Sequence, residues 1–231
     1  MMIASQNLHG LYTHSRDSHF RILHDDARTC VHIDGMPIIW LGRLFGLNLK
    51  AEQRTAWIDW FLPLMDLSRR KGWRVFYLGG REEVVEAGLA LLRRDYPGLQ
   101  IDGRDGFFDA DPDSGGNRAV IERINRFRPH VLIVGMGMGR QERWIVENEA
   151  ALDVNCIGTS GACLEYFAGA VRMPPRWLGR VGFEWAFRLF DDPRRFWRRY
   201  LVEPWSVAWS VLRSVARRRG VVERIEVSTG T

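Results

Sequence analysis

Uninterrupted apolar runs that end in glycine constrain this chain more than any other feature. HVLIVGMG (130–137) has no polar residue after its first, and WRVFYLGG (73–80) is apolar after Arg74 and ends in two glycines. LQIDG (99–103) and VNCIG (154–158) are shorter strand candidates that contain polar residues and also end in glycine. A strand that is apolar on both faces needs cover on both. That cover lies between the runs. REEVVEAGLALLRRDYPG has Val84, Val85, Gly88, Leu89 and Leu92 at helical spacing and stops at Pro97-Gly98. Asn117–Phe127 and RQERWIVENEAAL read as further helices. Upstream, TCVHIDG (29–35) is expected to be the first strand, closing on an Asp-Gly turn, and Ala51–Arg70 a helix. Strands alternating with helices imply an α/β fold, a Rossmann-like parallel sheet flanked by helices. With 231 residues there is room for one large domain and an appendage.

The charge pattern marks off that appendage. The chain carries +5 overall, and its only lysines are Lys50 and Lys71. Between Ala170 and Arg219, twelve arginines stand against four acids, a local +8 that leaves −3 for the remainder. Five of the ten tryptophans lie in the same stretch, which reads as helical from Pro174, punctuated by Pro193 and Pro204. We therefore divide the chain into an α/β core over 1–170 and a basic helical appendage over 171–231. Arginine interleaved with tryptophan suits an anionic surface with an apolar layer beneath it. Nucleic-acid binding is not expected, since no recognised motif accompanies the charge. The other two readings of the appendage, a helix docked on the body and a helix lying on a membrane, are compatible. No run of 18 apolar residues exists, and MMIASQNLHG lacks a basic stretch followed by an apolar one, so neither a spanning helix nor a signal peptide is expected. Three cysteines without a CxxC pair fit reduced thiols in the cytosol.

In open α/β sheets ligands gather at the carboxyl ends of the strands. Gly79-Gly80 and Gly135-Met-Gly-Met-Gly139 each end a strand and open a helix, where free N–H groups favour anions. Two such turns suggest a diphosphate-bearing ligand such as a nucleotide, although tight turns without a ligand read equally well. Asp34 is either a general base or a turn residue bonding its own backbone, and spacing alone favours the turn. His9, His14, His19 and His24 recur every five residues, about 500° of helical rotation, so they share no face. The Asp-rich DADPDSGG (109–116) starts like a calcium loop but has Ser114 at position six and Val120 at position twelve. Its Asp109-Ala-Asp111 is a DxD, read here as a solvated loop.

Several segments together resemble the WecG/TagA/CpsF glycosyltransferases: DGMPIIWLGRLFG (34–46), VFYLGG (75–80), YPGLQIDGRDGFFD (96–109), PHVLIVGMGMGRQERWI (129–145) and GACLEYFAGAVRMPPRWLGRVGFEWAFRLFDDPRRFWRRYL (161–201). The phrasing is nearest to the GumM-like exopolysaccharide branch. The resemblance implies an inverting, metal-independent enzyme that moves a sugar from a UDP-sugar donor to a polyprenyl-diphosphate-linked sugar in exopolysaccharide or cell-surface polysaccharide assembly. It would sit in the cytoplasm, peripheral on the inner face of the plasma membrane, with a homo-oligomer left open. It gives Asp34 the role of catalytic base and puts Ser5 and Asn7 beside the acceptor. Gly79, Gly80, Gly135, Gly137, Gln141 and Glu142 would line the donor. Arg188, Arg194, Arg195, Arg198 and Arg199 would meet the diphosphate and the membrane. Gly139 stands where the family pattern GxGxPxQE has proline, and Leu164-Glu165 where it has Phe-Asp. These departures, with a short N-terminal segment, keep one alternative: a non-catalytic nucleotide-sugar-binding regulator of the same fold.

Overall fold

The computed structural model describes residues 1–213, so the end of the expected appendage, 214–231, lies outside the described residues. Six parallel strands form one sheet: β1 (Met2–Gln6), β2 (Thr29–Ile33), β3 (Arg74–Gly79), β4 (Gln100–Arg104), β5 (Val131–Gly135) and β6 (Cys156–Thr159), in the order β2-β1-β6-β5-β3-β4. The helices of the body are α1 (Leu8–His14), α2 (Ser18–Asp25), α3 (Met36–Leu44), α4 (Trp57–Lys71), α5 (Glu82–Asp95), α6 (Gly115–Phe127), α7 (Arg140–Asn148) and α8 (Cys163–Phe167). After them come α9 (Arg176–Arg180), α10 (Glu184–Asp191) and α11 (Pro193–Trp197).

The apolar runs lie at the centre because both of their faces are covered. On one face Trp57, Phe61 and Met65 of α4, Val85 and Leu89 of α5 and Leu164 of α8 pack on Val75, Tyr77 and Ile133. On the other, Leu23 of α2, Val120 and Ile124 of α6 and Trp144 and Ile145 of α7 pack on Phe76, Leu78, Leu132 and Val134. Each fully buried aliphatic or aromatic side chain contributes about 1.5–3 kcal/mol. All five residues of β5 are buried, which fits its inner position.

Three expectations need correction. The first strand is β1, not 29–35, and α1 and α2 separate the two. MIASQ is short and half polar, so its pattern is weak; pairing with both β2 and β6 supplies what propensity does not. The helix expected from Ala51 begins at Trp57, because the Thr55 N–H donates to Ile33 O at 2.8 Å and keeps the chain extended beside β2. Pro204 does not interrupt the appendage: α11 continues through a wide π-helical turn (Arg198–Val202) into a helix over 203–213. Such a turn already departs from regular i to i−4 bonding, so a residue without an N–H is tolerated there.

Candidate active site

β1 and β2 are parallel neighbours in register, Gln6 opposite Ile33, so the residues that follow them emerge side by side. Those residues are Asn7 and Asp34. The Asp34 N–H donates to Gln6 O at 2.8 Å, and Gly35 at φ +122° turns the chain into α3. Asn7 caps α1 by accepting the Gly10 N–H on Oδ1 at 3.0 Å. Its Nδ2 donates to Asp34 Oδ2 at 3.4 Å. One side chain thus closes a helix and orients a carboxylate.

That carboxylate lines a cavity of about 220 Å³. Pockets that engulf a whole small ligand span roughly 300–1,000 Å³, so this one suits part of a larger ligand. The body contributes Asn7, His9, Asp34 and Arg54; the opposite wall is Glu184, Arg188, Arg199 and Tyr200. Three arginines therefore meet two carboxylates. Glu184 pairs with Arg188. Burial works against the Arg188 charge, but Glu184 and its other partners hold the guanidinium above its ordinary range. Arg199 is pushed down, by burial first and also by Arg188. Among the described residues no carboxylate stands within salt-bridge distance of Arg199, and its buried Nε lacks a hydrogen-bond partner. A half-buried cation left in this state favours an anionic ligand.

Contacts far apart in sequence set the appendage wall on the body. His9 Nδ1 and Glu203 Oε2 are 2.5 Å apart, Arg16 Nη2 donates to Ser206 Oγ at 2.9 Å, and Arg176 pairs with Asp59. Gly179 gives Arg54 and Glu184 room: a Cβ there would stand 2.7 Å from Arg54 Nη2 and 3.0 Å from Glu184 Oε2.

The glycine turns form a different crevice. After β3 the chain leaves over one face through α5; after β5 it leaves over the other through α7. The paired ends, Gly79 opposite Gly135, are therefore a switch point of the kind that receives ligands. Gly79 has φ +149°, and a Cβ on it would lie 2.3 Å from Gly135 O. Gly80 and Gly137 also have positive φ, and Glu165 Oε1 lies 3.8 Å from the place of a Cβ on Gly80.

The expected site residues therefore fall into groups. Asp34, Asn7, Arg188 and Arg199 meet at the cavity. Gly79, Gly80, Gly135 and Gly137 belong to the crevice. Ser5 is buried within β1, and its carbonyl lies 3.4 Å from His24 Nε2. Arg194, Arg195 and Arg198 are exposed, away from the cavity. Gln141 and Glu142 are buried, at 2% and 1% exposure. Glu142 accepts the Gly139 N–H at 2.5 Å and the Gln141 amide at 2.8 Å, while Gln141 Oε1 is left without a partner. Burial pushes the Glu142 carboxyl up to about 7. Gly139 has φ +89°, which a proline ring cannot reach, and donates through an N–H that proline lacks.

Sequence reasoning did not single out Arg54, His9 as a docking residue, Glu184 or Tyr200. Nothing local marks them, since the cavity joins segments almost 200 residues apart. The other histidines are dispersed, His14 beside Asp25 and His24 stacked on Phe20 with centroids 3.8 Å apart. In the Asp-rich loop, Asp109 accepts the Asp111 N–H and Asp111 accepts the Asp113 N–H, and among the described residues no three His, Cys, Asp or Glu are grouped to hold a metal.

Comparison with known proteins adds two findings. The sequence profile of the glycosyl transferase WecG/TagA/CpsF family matches residues 1–221. Similar curated proteins include two N-acetylglucosaminyldiphosphoundecaprenol N-acetyl-beta-D-mannosaminyltransferases. The one from Staphylococcus aureus is 34% identical over 125 residues, 54% of this chain and 47% of the relative. The one from Bacillus spizizenii is 29% identical over 171 residues, 74% of this chain and 63% of the relative. The chain thus spans about half to somewhat under two thirds of these relatives' length. With the profile covering nearly all of it, the chain belongs to the WecG/TagA/CpsF family of glycosyl transferases.

Proposed function

We propose that this protein transfers a sugar from a UDP-sugar to a polyprenyl-diphosphate-linked sugar, acting peripherally on the cytosolic face of the plasma membrane in polysaccharide assembly. One observation carries the reading. Asp34, oriented by Asn7, shares a small cavity with Arg199, a half-buried guanidinium without a carboxylate partner among the described residues. A base and an unmatched cation are what a sugar displacement from a diphosphate requires. Asp34 removes the proton of the acceptor hydroxyl as that oxygen attacks the anomeric carbon. The bond from that carbon to the diphosphate breaks, and its electron pair leaves with UDP. Arg188 and Arg199 receive the growing charge through charge-assisted hydrogen bonds. A single displacement inverts the anomeric centre. Arginines here do the work that Mn²⁺ does in other transferases.

The relatives' names favour N-acetylmannosamine as the sugar moved and an N-acetylglucosaminyl diphospholipid as its acceptor. The exopolysaccharide-type phrasing of the sequence favours glucose. The test is UDP release from a panel of UDP-sugars with a short-chain polyprenyl-diphosphate sugar, with and without EDTA. We expect release with one donor, dependent on the acceptor and indifferent to EDTA. Donor binding with no release on any acceptor selects the non-catalytic regulator instead.

A further inference from the structure

Most large apolar side chains that this fold leaves in water gather in two stretches. One is the appendage. The other belongs to the α/β body: α3 and the loop after it, with Trp40 47%, Leu44 78%, Phe45 48% and Leu47 58% exposed. Elsewhere before the appendage, Met1, Ile22, Val31 and Phe107 are exposed as isolated residues, which is ordinary for a protein surface.

The α3 sequence, MPIIWLGRL, explains the difference. Its inner side buries Met36 and Ile39. Trp40 and Leu44, one turn apart, are on the outer side and are also apolar. The helix has one charge, Arg43, whose Nε is tied to Leu49 O at 2.6 Å. A helix on a water-facing surface normally carries a polar outer stripe; one that is apolar all round calls for an apolar medium outside as well.

The patch borders the cavity. Gly182 lies against Trp40, where a Cβ would stand 2.4 Å from the indole Cη2. Val181 and Phe183 on either side of it are exposed, extending the surface into the appendage. Met36 and Pro37 of α3, with Gly182 and Trp185, line the cavity itself.

Charge identifies the occupant. From Met36 to Lys50 there is no Asp or Glu, while Arg43 and Lys50 are exposed. On the appendage, Arg172, Arg194, Arg195 and Arg198 are exposed too. A second copy of this chain docked through the same face would set cations against cations. An anionic bilayer supplies both an apolar layer and phosphates. We infer that α3 and the 45–47 loop form a bilayer-docking face in the body itself, separate from the appendage helices, which seats the cavity mouth at the headgroups. The purpose of this face rests on the lipid-linked acceptor proposed above, but its existence is measured without donor or acceptor.

The experiment uses the full chain and vesicles of phosphatidylglycerol mixed with phosphatidylcholine, with pure phosphatidylcholine as control. The double variant Leu44→Glu/Phe45→Glu is expected to lower partitioning onto anionic vesicles about tenfold, because anchoring of this type needs its two signals together. Its melting temperature and its UDP release with a soluble short-chain acceptor should not change. As an independent readout, Leu47→Cys in a Cys30→Ser background carries an environment-sensitive NBD label, whose emission should shift to the blue on anionic vesicles. Unchanged vesicle binding by the double variant, or an unshifted label, overturns the inference. So does a dimer in size-exclusion chromatography that the double variant abolishes while vesicle binding persists. Loss of binding by the double variant in a protein that releases no UDP supports the docking face and removes the transferase reading alone.

Discussion

The carboxyl edge of the sheet holds two sites built on opposite principles. The crevice between β3 and β5 is made of backbone. Gly79 and Gly135 are paired, Gly106 N–H donates to Gly80 O at 2.9 Å, and a Cβ on Gly106 would touch Gly79 Cα at 3.0 Å. The cavity at the ends of β1 and β2 is made of side chains, half of them from the appendage. The first is part of what holds the α/β body together. The second exists only when two distant parts of the chain dock. Damage should therefore read out as instability in the first and as lost chemistry in the second.

The largest effect is expected at the crevice. Gly79→Ala places a methyl group on the Gly135 backbone at a φ that L residues rarely adopt. We expect it to cost about 4 kcal/mol or more in urea unfolding, with expression falling accordingly. A loss below about 1 kcal/mol would mean that the two strand ends can part, and that the crevice is softer than its packing suggests. Asp34→Asn should do the reverse. Asn keeps the shape and the contact with Asn7 but cannot take a proton. Acceptor-dependent UDP release should fall about 10³-fold with donor affinity and unfolding midpoint unchanged. Undiminished turnover would remove Asp34 from the chemistry.

The same contrast explains how much was legible in the sequence. VFYLGG and HVLIVGMG announce β3, β5 and their turns, since an apolar run and its terminal glycine are local facts. β1 is not announced, because MIASQ is stabilised by neighbours from residues 29–33 and 156–159. Asp34 was visible as an acid after a strand, yet a turn residue looks the same until Asn7, 27 positions earlier, is seen donating to it. Arg54 and Glu184 had no signal: they come together only through the docking of Gly179 between them. The family resemblance gave the five tail arginines jointly to the diphosphate and the membrane, and the fold sorts them by place: Arg188 and Arg199 line the cavity, while Arg194, Arg195 and Arg198 are exposed outside it. Facing or not facing a cavity depends on how the appendage docks, which arginine content does not encode.

Glu142 gives the smallest and most diagnostic test, because it sits beside the crevice yet serves its own helix. Its carboxyl is raised from 4.5 to about 7, chiefly by burial. Below pH 4.5 both folded and unfolded chains hold the proton, and the folded state keeps its full stability. As pH rises toward 7 the unfolded chain releases the proton first, so stability falls; above that the loss is complete. The shift corresponds to about 3 kcal/mol. His24 and His32, both lowered by burial, act in the opposite sense, losing stability as pH falls below 6.5. Comparison with Glu142→Gln separates the two, because Gln can still accept the Gly139 N–H but does not titrate. Urea unfolding between roughly pH 5 and 8 should show wild type losing stability relative to the variant as pH rises, with the variant the more stable at the upper end. Parallel profiles would mean that Glu142 is already ionised in the folded chain at pH 5, so that the N–H donors of Gly139 and Gln141 outweigh its burial.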